Sequence, residues 1–252
     1  MNYNKDIVKT VVKSEPISVP RVCILTLHDA GAYRTMAELT IYQNKREYAE
    51  RWKHDLLVLT QVNPEFAVPA GHAGGLTWDR LRVALEIGKT GRYDWLYLVG
   101  CDALITNMTI PLTTFLDDKY HFIIANDCCE WNADSFFFRC SLAGIGFMEA
   151  VMAEYERLKH HPWVEQQAMI ELRDKPPWSG TWKVLPQREI NSYDYRVYPA
   201  SDPNCQPAKR HGKDCAGNDG QWQPGDFLIH WAGVGINVRI VEIKKTLPLI
   251  VR

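Results

Sequence analysis

Short, nearly continuous apolar runs alternate along this chain with longer stretches of helical period. Arg21-Val-Cys-Ile-Leu-Thr-Leu27 ends in His28-Asp29-Ala30-Gly31, the pattern of a buried strand feeding a loop. From Arg34 to Lys53 the apolar positions Met36, Leu39, Tyr42 and Tyr48 take a helical period, and Leu56-Leu-Val-Leu59 follows as a second buried strand. After the Pro/Gly-rich stretch Asn63 to Gly75, a helix carries Trp78, Leu81 and Leu85 on one face. Trp95-Leu-Tyr-Leu-Val99 is the third strand. Phe122-Ile-Ile-Ala125, Phe136-Phe-Phe138 and Phe227-Leu-Ile-His230 read as further strands, and Leu142 to Leu158 as a long amphipathic helix. Strands alternating with helices predict an α/β fold with a mostly parallel central sheet flanked by helices. No internal repeat or second domain shows, so 1–252 reads as one domain with an N-terminal extension over 1–20. Active sites of such sheets lie beyond the carboxyl ends of the strands, which singles out His28-Asp29, Gly100-Cys-Asp102 and Asn126-Asp127.

Composition narrows the function classes. Lys+Arg 29 against Asp+Glu 30 gives a net charge of -1, which argues against neutralising the phosphates of duplex nucleic acid. Seven cysteines cannot all pair within one chain, so a reducing compartment is expected. The N-terminus lacks an apolar signal region, and no apolar run reaches the ~18 residues of a membrane span, giving a cytoplasmic expectation. The polar segment Ser201 to Pro224 is basic around Lys209, Arg210, His211 and Lys213. It reads as a mobile, solvated loop, as a lid over a phosphate-bearing ligand, or, through Cys205, His211 and Cys215, as a zinc site that fits no strong spacing template.

Two stretches carry chemistry. In Tyr93-Asp-Trp-Leu-Tyr-Leu-Val-Gly-Cys-Asp-Ala-Leu-Ile-Thr-Asn107 a hydrophobic strand delivers Asp102 to the sheet edge, and apolar residues then resume. An acid between apolar flanks needs a partner, either a divalent cation or an N-cap or buried hydrogen bond. In Gly225-Asp-Phe-Leu-Ile-His-Trp-Ala-Gly233 a strand ends in His230, followed by small residues that permit close backbone approach. Together the two suggest a carboxylate-plus-imidazole site suited to Mn2+ or Mg2+ holding a diphosphate.

Eight segments in order resemble glycosyltransferase family 34, the galactomannan galactosyltransferase and fungal Golgi α-mannosyltransferase group. Asn44-Lys-Arg-Glu-Tyr-Ala49 looks like the family's N-[KR]-x-x-Y-A, and Trp78-Asp-Arg-Leu81 its W-x-K segment, with Arg80 in the place of Lys. Asp94 to Asn107 is similar to the strand bearing D-x-D. Asn126-Asp127 and Asn132-Ala-Asp-Ser-Phe-Phe-Phe-Arg139 resemble N-x-G-x-F-x-x-R. Glu165-Gln-Gln-Ala168, Asn191-Ser-Tyr193 and His230-Trp-Ala-Gly233 complete the series. Gly100 replaces the first Asp of D-x-D, Asp134 stands where the family has Gly, and no basic residue that would touch a diphosphate is evident after Gly233.

The resemblance implies a GT-A fold and retaining transfer of a hexose or pentose from a nucleoside diphosphate sugar (UDP- or GDP-linked) to a glycan hydroxyl. It gives Asp102 and His230 as metal ligands. Thr26, Asp29, Arg80, Gly100, Cys101 and Gly233 would lie around the nucleotide, Arg80 on a phosphate. Asn132, Asp127 and Trp231 would contact sugars. Gln166, Asp134 and Glu165 are the catalytic candidates, Gln166 stabilising oxocarbenium character on the far face of the sugar. A nucleotide-sugar- or glycan-binding protein without turnover, and an inverting transferase with Asp127 or Asp134 as base, are the alternatives. The oligomeric state is not legible.

Overall fold

The computed structural model describes residues 19–28, 31, 33–61, 63–66, 74–202 and 211–252. Six strands form the central sheet: β1 (Val22–Leu27), β2 (Asp55–Leu59), β3 (Trp95–Val99), β5 (Phe122–Asp127), β6 (Glu130–Arg139) and β7 (Trp182–Leu185), in the order β2-β1-β3-β6-β5-β7. A small second sheet takes β4 (Ala103–Ile105), β9 (Leu228–His230) and β8 (Ser192–Tyr193) in the order β4-β9-β8. The flanking helices are α1 (34–52), α2 (Gly74–Lys89), α3 (Leu142–Ala153), α4 (Tyr155–Leu158), α5 (Val164–Arg173), α6 (Gln187–Ile190) and α7 (Ile236–Thr246).

Strand periodicity divides the interior into two cores. Trp95, Tyr97 and Val99 of β3 face one side with Val22, Ile24 and Phe137, while Leu96 and Leu98 face the other with Cys23, Leu25, Phe136 and Phe138. A sheet apolar on both faces must be covered on both, and the helices do so.

The sheet is mixed. β1 runs parallel to β2 and β3, and β5 parallel to β7, but β6 runs antiparallel to both β3 and β5. The expected long helix over 142–158 divides at Glu154, and the middle of α1, Glu38–Lys45, is wound as π-helix. The chain leaves β3 at Gly100 and enters β4 at Ala103, so Gly100-Cys101-Asp102 bridges the two sheets. This seam positions the site.

Candidate active site

Three register relations bring distant residues to the seam. β4 pairs antiparallel with β9, Ala103 opposite His230, so His230 lies beside Asp102. Antiparallel β6 sets Ser135 opposite Val99, and the Gly100 amide donates to the Asp134 carbonyl at 2.9 Å, which puts Asp134 against Gly100. His230 Nε2 lies 3.5 Å from Asp102 Oδ1 and 3.2 Å from Asp134 Oδ2. One ligand atom from each of the three residues lies within 4.8 Å of the others.

The backbone of this seam is pinned from below. Thr40 Oγ1 donates to the Cys101 carbonyl at 2.6 Å, and Lys45 Nζ to the Ala103 carbonyl at 2.6 Å. Asn44 exchanges two hydrogen bonds of 2.9 Å with the backbone of Ile105. The segment Asn44 to Ala49 thus acts through Asn44 and Lys45 as a clamp on the turn that carries Asp102. Lys45 is fully buried, and burial pushes its ammonium down to about 8 against the pull of nearby acidic groups.

The charges balance locally. Burial disfavours the Asp102 carboxylate, but His230 and Arg239 outweigh it and hold this carboxyl well below the usual range. Arg239, on α7, reaches Asp102 Oδ2 at 3.0 Å. It is the basic residue downstream of Gly233 that sequence reading did not find. Asp134 moves the opposite way: burial and the Asp102 charge raise it, against His230 and Arg80. His230 is raised too, since its two carboxylate neighbours overcome the penalty of burial. His230 Nδ1 donates to Asn191 Oδ1 at 2.8 Å, an oxygen that can only accept. In the neutral ring this leaves the Nε2 lone pair facing two carboxylates, an arrangement that needs a proton or a cation between them.

The donor set fits a hard divalent cation. The carboxylates suit manganese or magnesium and the imidazole a borderline divalent ion, and ligand atoms on one edge of a six-coordinate ion with ~2.1 Å bonds stand ~3 Å apart. Asp134 Oδ2 is buried and has no hydrogen-bond partner. Such an orphaned oxygen, turned toward an imidazole nitrogen with which it makes no hydrogen bond, is what an ion would satisfy.

Beside the seam opens a cleft of about 430 Å³, lined among others by Asp127, Asn132, Trp163, Gln166, Tyr193 and Gly233. Asn132 Nδ2 donates to Asp127 Oδ2 at 2.8 Å, and Tyr193 Oη donates to the same oxygen at 2.6 Å. Gln166 Oε1 accepts from the Ala133 amide at 3.0 Å, which orients its side chain at the cleft wall. Gly233 takes a left-handed φ of +69°, conformation that favours glycine.

Other expected site residues sit elsewhere. Arg80 is fully buried beneath β6, with NH2 on the Ala133 carbonyl at 2.7 Å and NH1 on Asp134 Oδ1 at 3.3 Å, so it does not face the cleft. Glu165 is buried as well, its Oε1 3.8 Å from Arg80, and burial raises its carboxyl. Trp231 is fully enclosed in the core shared by β3 and β9 rather than presented to a sugar, since burying its large apolar ring there is favourable. Thr26 is buried with an unpartnered hydroxyl, and Cys101 is buried under its bond from Thr40. Asp29, Cys205, Lys209 and Arg210 lie outside the described residues. His211, Lys213 and Cys215 are exposed, and among the described residues no metal-like cluster includes them. Among the described residues no two cysteines form a disulfide. Among the described residues no helix is long and apolar enough to cross a membrane.

Residues 116–238 match the galactosyl transferase GMA12/MNN10 family. No curated protein sequence matches the chain. Among solved structures, a glycosyltransferase involved in the glycosylation of the major capsid of PBCV-1 is similar with a TM-score of 0.63 at 14% identity, over 90% of this chain and 100% of that one. The galactosyltransferase LgtC, solved with donor and acceptor sugar analogs, has a TM-score of 0.52 at 11% identity, over 90% of this chain and 94% of its own. A second LgtC structure, an active-site mutant in which a glutamine becomes glutamate, gives 0.52 at 12% identity over 88% and 95%. The glycosyltransferase GlyE of Streptococcus pneumoniae TIGR4 gives 0.51 at 12% identity, over 93% of this chain and 65% of that one. At these identities the likeness speaks to the fold, which is of GT-A type.

Proposed function

We propose, on the premise that this chain is through its residues 116–238 a family 34 glycosyltransferase on a GT-A fold, that it transfers a hexose or pentose from a nucleoside diphosphate sugar to a glycan hydroxyl with retention. The observation that carries the reading is the meeting of Asp102 and His230 at the sheet seam, 3.5 Å apart, next to a polar cleft. These two residues would hold a manganese or magnesium ion. When bound, such an ion supplies positive charge against the negative charge that grows on a departing diphosphate.

The chain's own residues do the rest. Asn191 fixes the His230 ring so that Nε2 faces the seam, and Arg239 holds the second oxygen of Asp102. Asp127 and Asn132, locked to each other and to Tyr193, present a rigid hydrogen-bonding wall for sugar hydroxyls. Gln166 uses its oxygen on the Ala133 amide, which leaves its NH2 group for the sugar. LgtC, which shares the fold, has a glutamine whose change to glutamate is described as an active-site mutation. In the reaction the bond from the anomeric carbon to the diphosphate oxygen breaks, and a bond from that carbon to the acceptor oxygen forms. The acceptor proton passes to the departing phosphate oxygen. Arg80 and Glu165, both buried, act by positioning the β6 backbone and Asp134.

Calorimetry with UDP- and GDP-sugars and Mn2+ tests the reading: Asp102→Ala and His230→Ala should each abolish manganese-dependent donor binding. NMR of the product settles the stereochemistry. A β product from an α-linked donor would remove the retaining assignment and move the role of base to Asp127, which lines the cleft.

A further inference from the structure

We infer that Asp134 supplies the cation-binding carboxylate that Gly100 lacks, with Arg80 as its positioning partner, so that three sequence departures are one exchange of a ligand from the end of β3 to β6. The inference rests on Asp102 and His230 being cation ligands.

The carboxyl group of Asp134 occupies the space in which a side chain at position 100 would begin. A Cβ placed on Gly100 would lie 1.8 Å from Asp134 Oδ2 and 2.4 Å from its Cγ. In this arrangement a side chain at position 100 would have to displace the Asp134 carboxylate, so the two positions compete for the same space. The antiparallel register of β6 on β3 makes the substitution spatially equivalent, because it sets the Asp134 backbone on the Gly100 amide at 2.9 Å.

The orientation of Asp134 is built, not incidental. Its amide donates to Asn132 Oδ1 at 3.1 Å, and its Oδ1 meets Arg80 NH1 at 3.3 Å. The other oxygen, Oδ2, is left buried and without a hydrogen bond, 3.2 Å from Nε2 of His230. That imidazole is 2% exposed and points into the same space. Arg80 engages Asp134 with one nitrogen and the Ala133 carbonyl with the other. A lysine ammonium, a single point of charge on a flexible stem, does not reproduce that fork. Arginine at 80, aspartate at 134 and glycine at 100 therefore belong together.

The test titrates the intact chain with Mn2+ alone, following free ion by its EPR signal, with melting temperature measured in parallel. Asp134→Asn keeps the shape and removes the charge. It should weaken Mn2+ binding at least about tenfold, since even residues outside the ligand shell change affinity 10–100-fold. Gly100→Asp alone should lower the melting temperature through the clash. Gly100→Asp combined with Asp134→Gly should restore both melting temperature and Mn2+ affinity. Wild-type affinity in Asp134→Asn with loss in Asp102→Asn would overturn the exchange and leave the transferase reading standing. Unchanged binding in both single variants, or none in the wild type, would overturn the two together. If the double variant does not fold, Asp134→Asn decides alone. Arg80→Lys should reduce Mn2+ affinity while Gly100→Asp/Asp134→Gly/Arg80→Lys does not; equal loss in both backgrounds would mean that Arg80 serves the fold only.

Discussion

At the residue scale, two side chains outside the ligand set control the site. Asn191 accepts the Nδ1 proton of His230 and so decides which ring nitrogen faces the carboxylates. Asn191→Ala should cost about tenfold in Mn2+ affinity, read by calorimetry, with a smaller effect on melting temperature. Lys45 is charged and buried under the Asp102 turn at neutral pH, its folded pKa lowered to about 8. Between that value and about 10.5 the unfolded chain keeps a proton that the folded chain has released. Stability therefore rises with pH across this window through Lys45, by up to about 3 kcal/mol. Urea denaturation at pH 7.5 and 9.5 should show the wild type gaining relative to Lys45→Met as pH rises; a constant difference would refute the assignment. Of these two residues, the sequence offered Lys45 only as part of a family segment. Its task emerges from one carbonyl, that of Ala103, on a strand 58 residues away in sequence.

At the element scale, the decisive feature is the reversed strand β6. A wholly parallel sheet would have separated residue 134 from the end of β3, whereas the antiparallel pairing sets them side by side. Helix α7 contributes the other unforeseen contact. Its sequence, INVRIVEIKKT, mixes apolar and charged positions closely, and its core anchor is mainly the buried Ile243. Arg239 on this helix bonds Asp102 and the Trp231 carbonyl, tying the last helix to the seam. Arg239→Ala leaves a largely buried carboxylate with one fewer partner, and should destabilise the protein by about 3 kcal/mol in urea unfolding. Five of the six strands of the large sheet were legible as apolar runs, β6 only over its Phe136-Phe-Phe138 stretch, while β7 was not, since Lys183 interrupts its four residues. The two-residue β8 and three-residue β4 were not, since so short a stretch carries no period.

At the scale of the whole molecule, cation and donor binding should appear as global stability. A ligand that binds only the folded state adds about 2.7 kcal/mol at a hundredfold excess over its Kd. A nucleoside diphosphate sugar with Mn2+ should raise the melting temperature, and a chelator should remove the gain. Stabilisation that persists in the chelator would count against the metal's part in donor binding. Comparing UDP- with GDP-sugars in the same assay identifies the base.

Local pattern determined a good deal: the order of the main strands, the α/β class, and the delivery of Asp102 and His230 to strand ends, because apolar periodicity and strand direction are properties of short segments. Tertiary structure alone decided the rest. Whether Arg80 and Trp231 face a cleft or a core, that Arg239 closes the site, and that Asp134 fills the space at Gly100 depend on strand register and on how the helices pack against the sheets. Register is set by pairing between residues 36 to 127 positions apart, and no short window of sequence contains both partners.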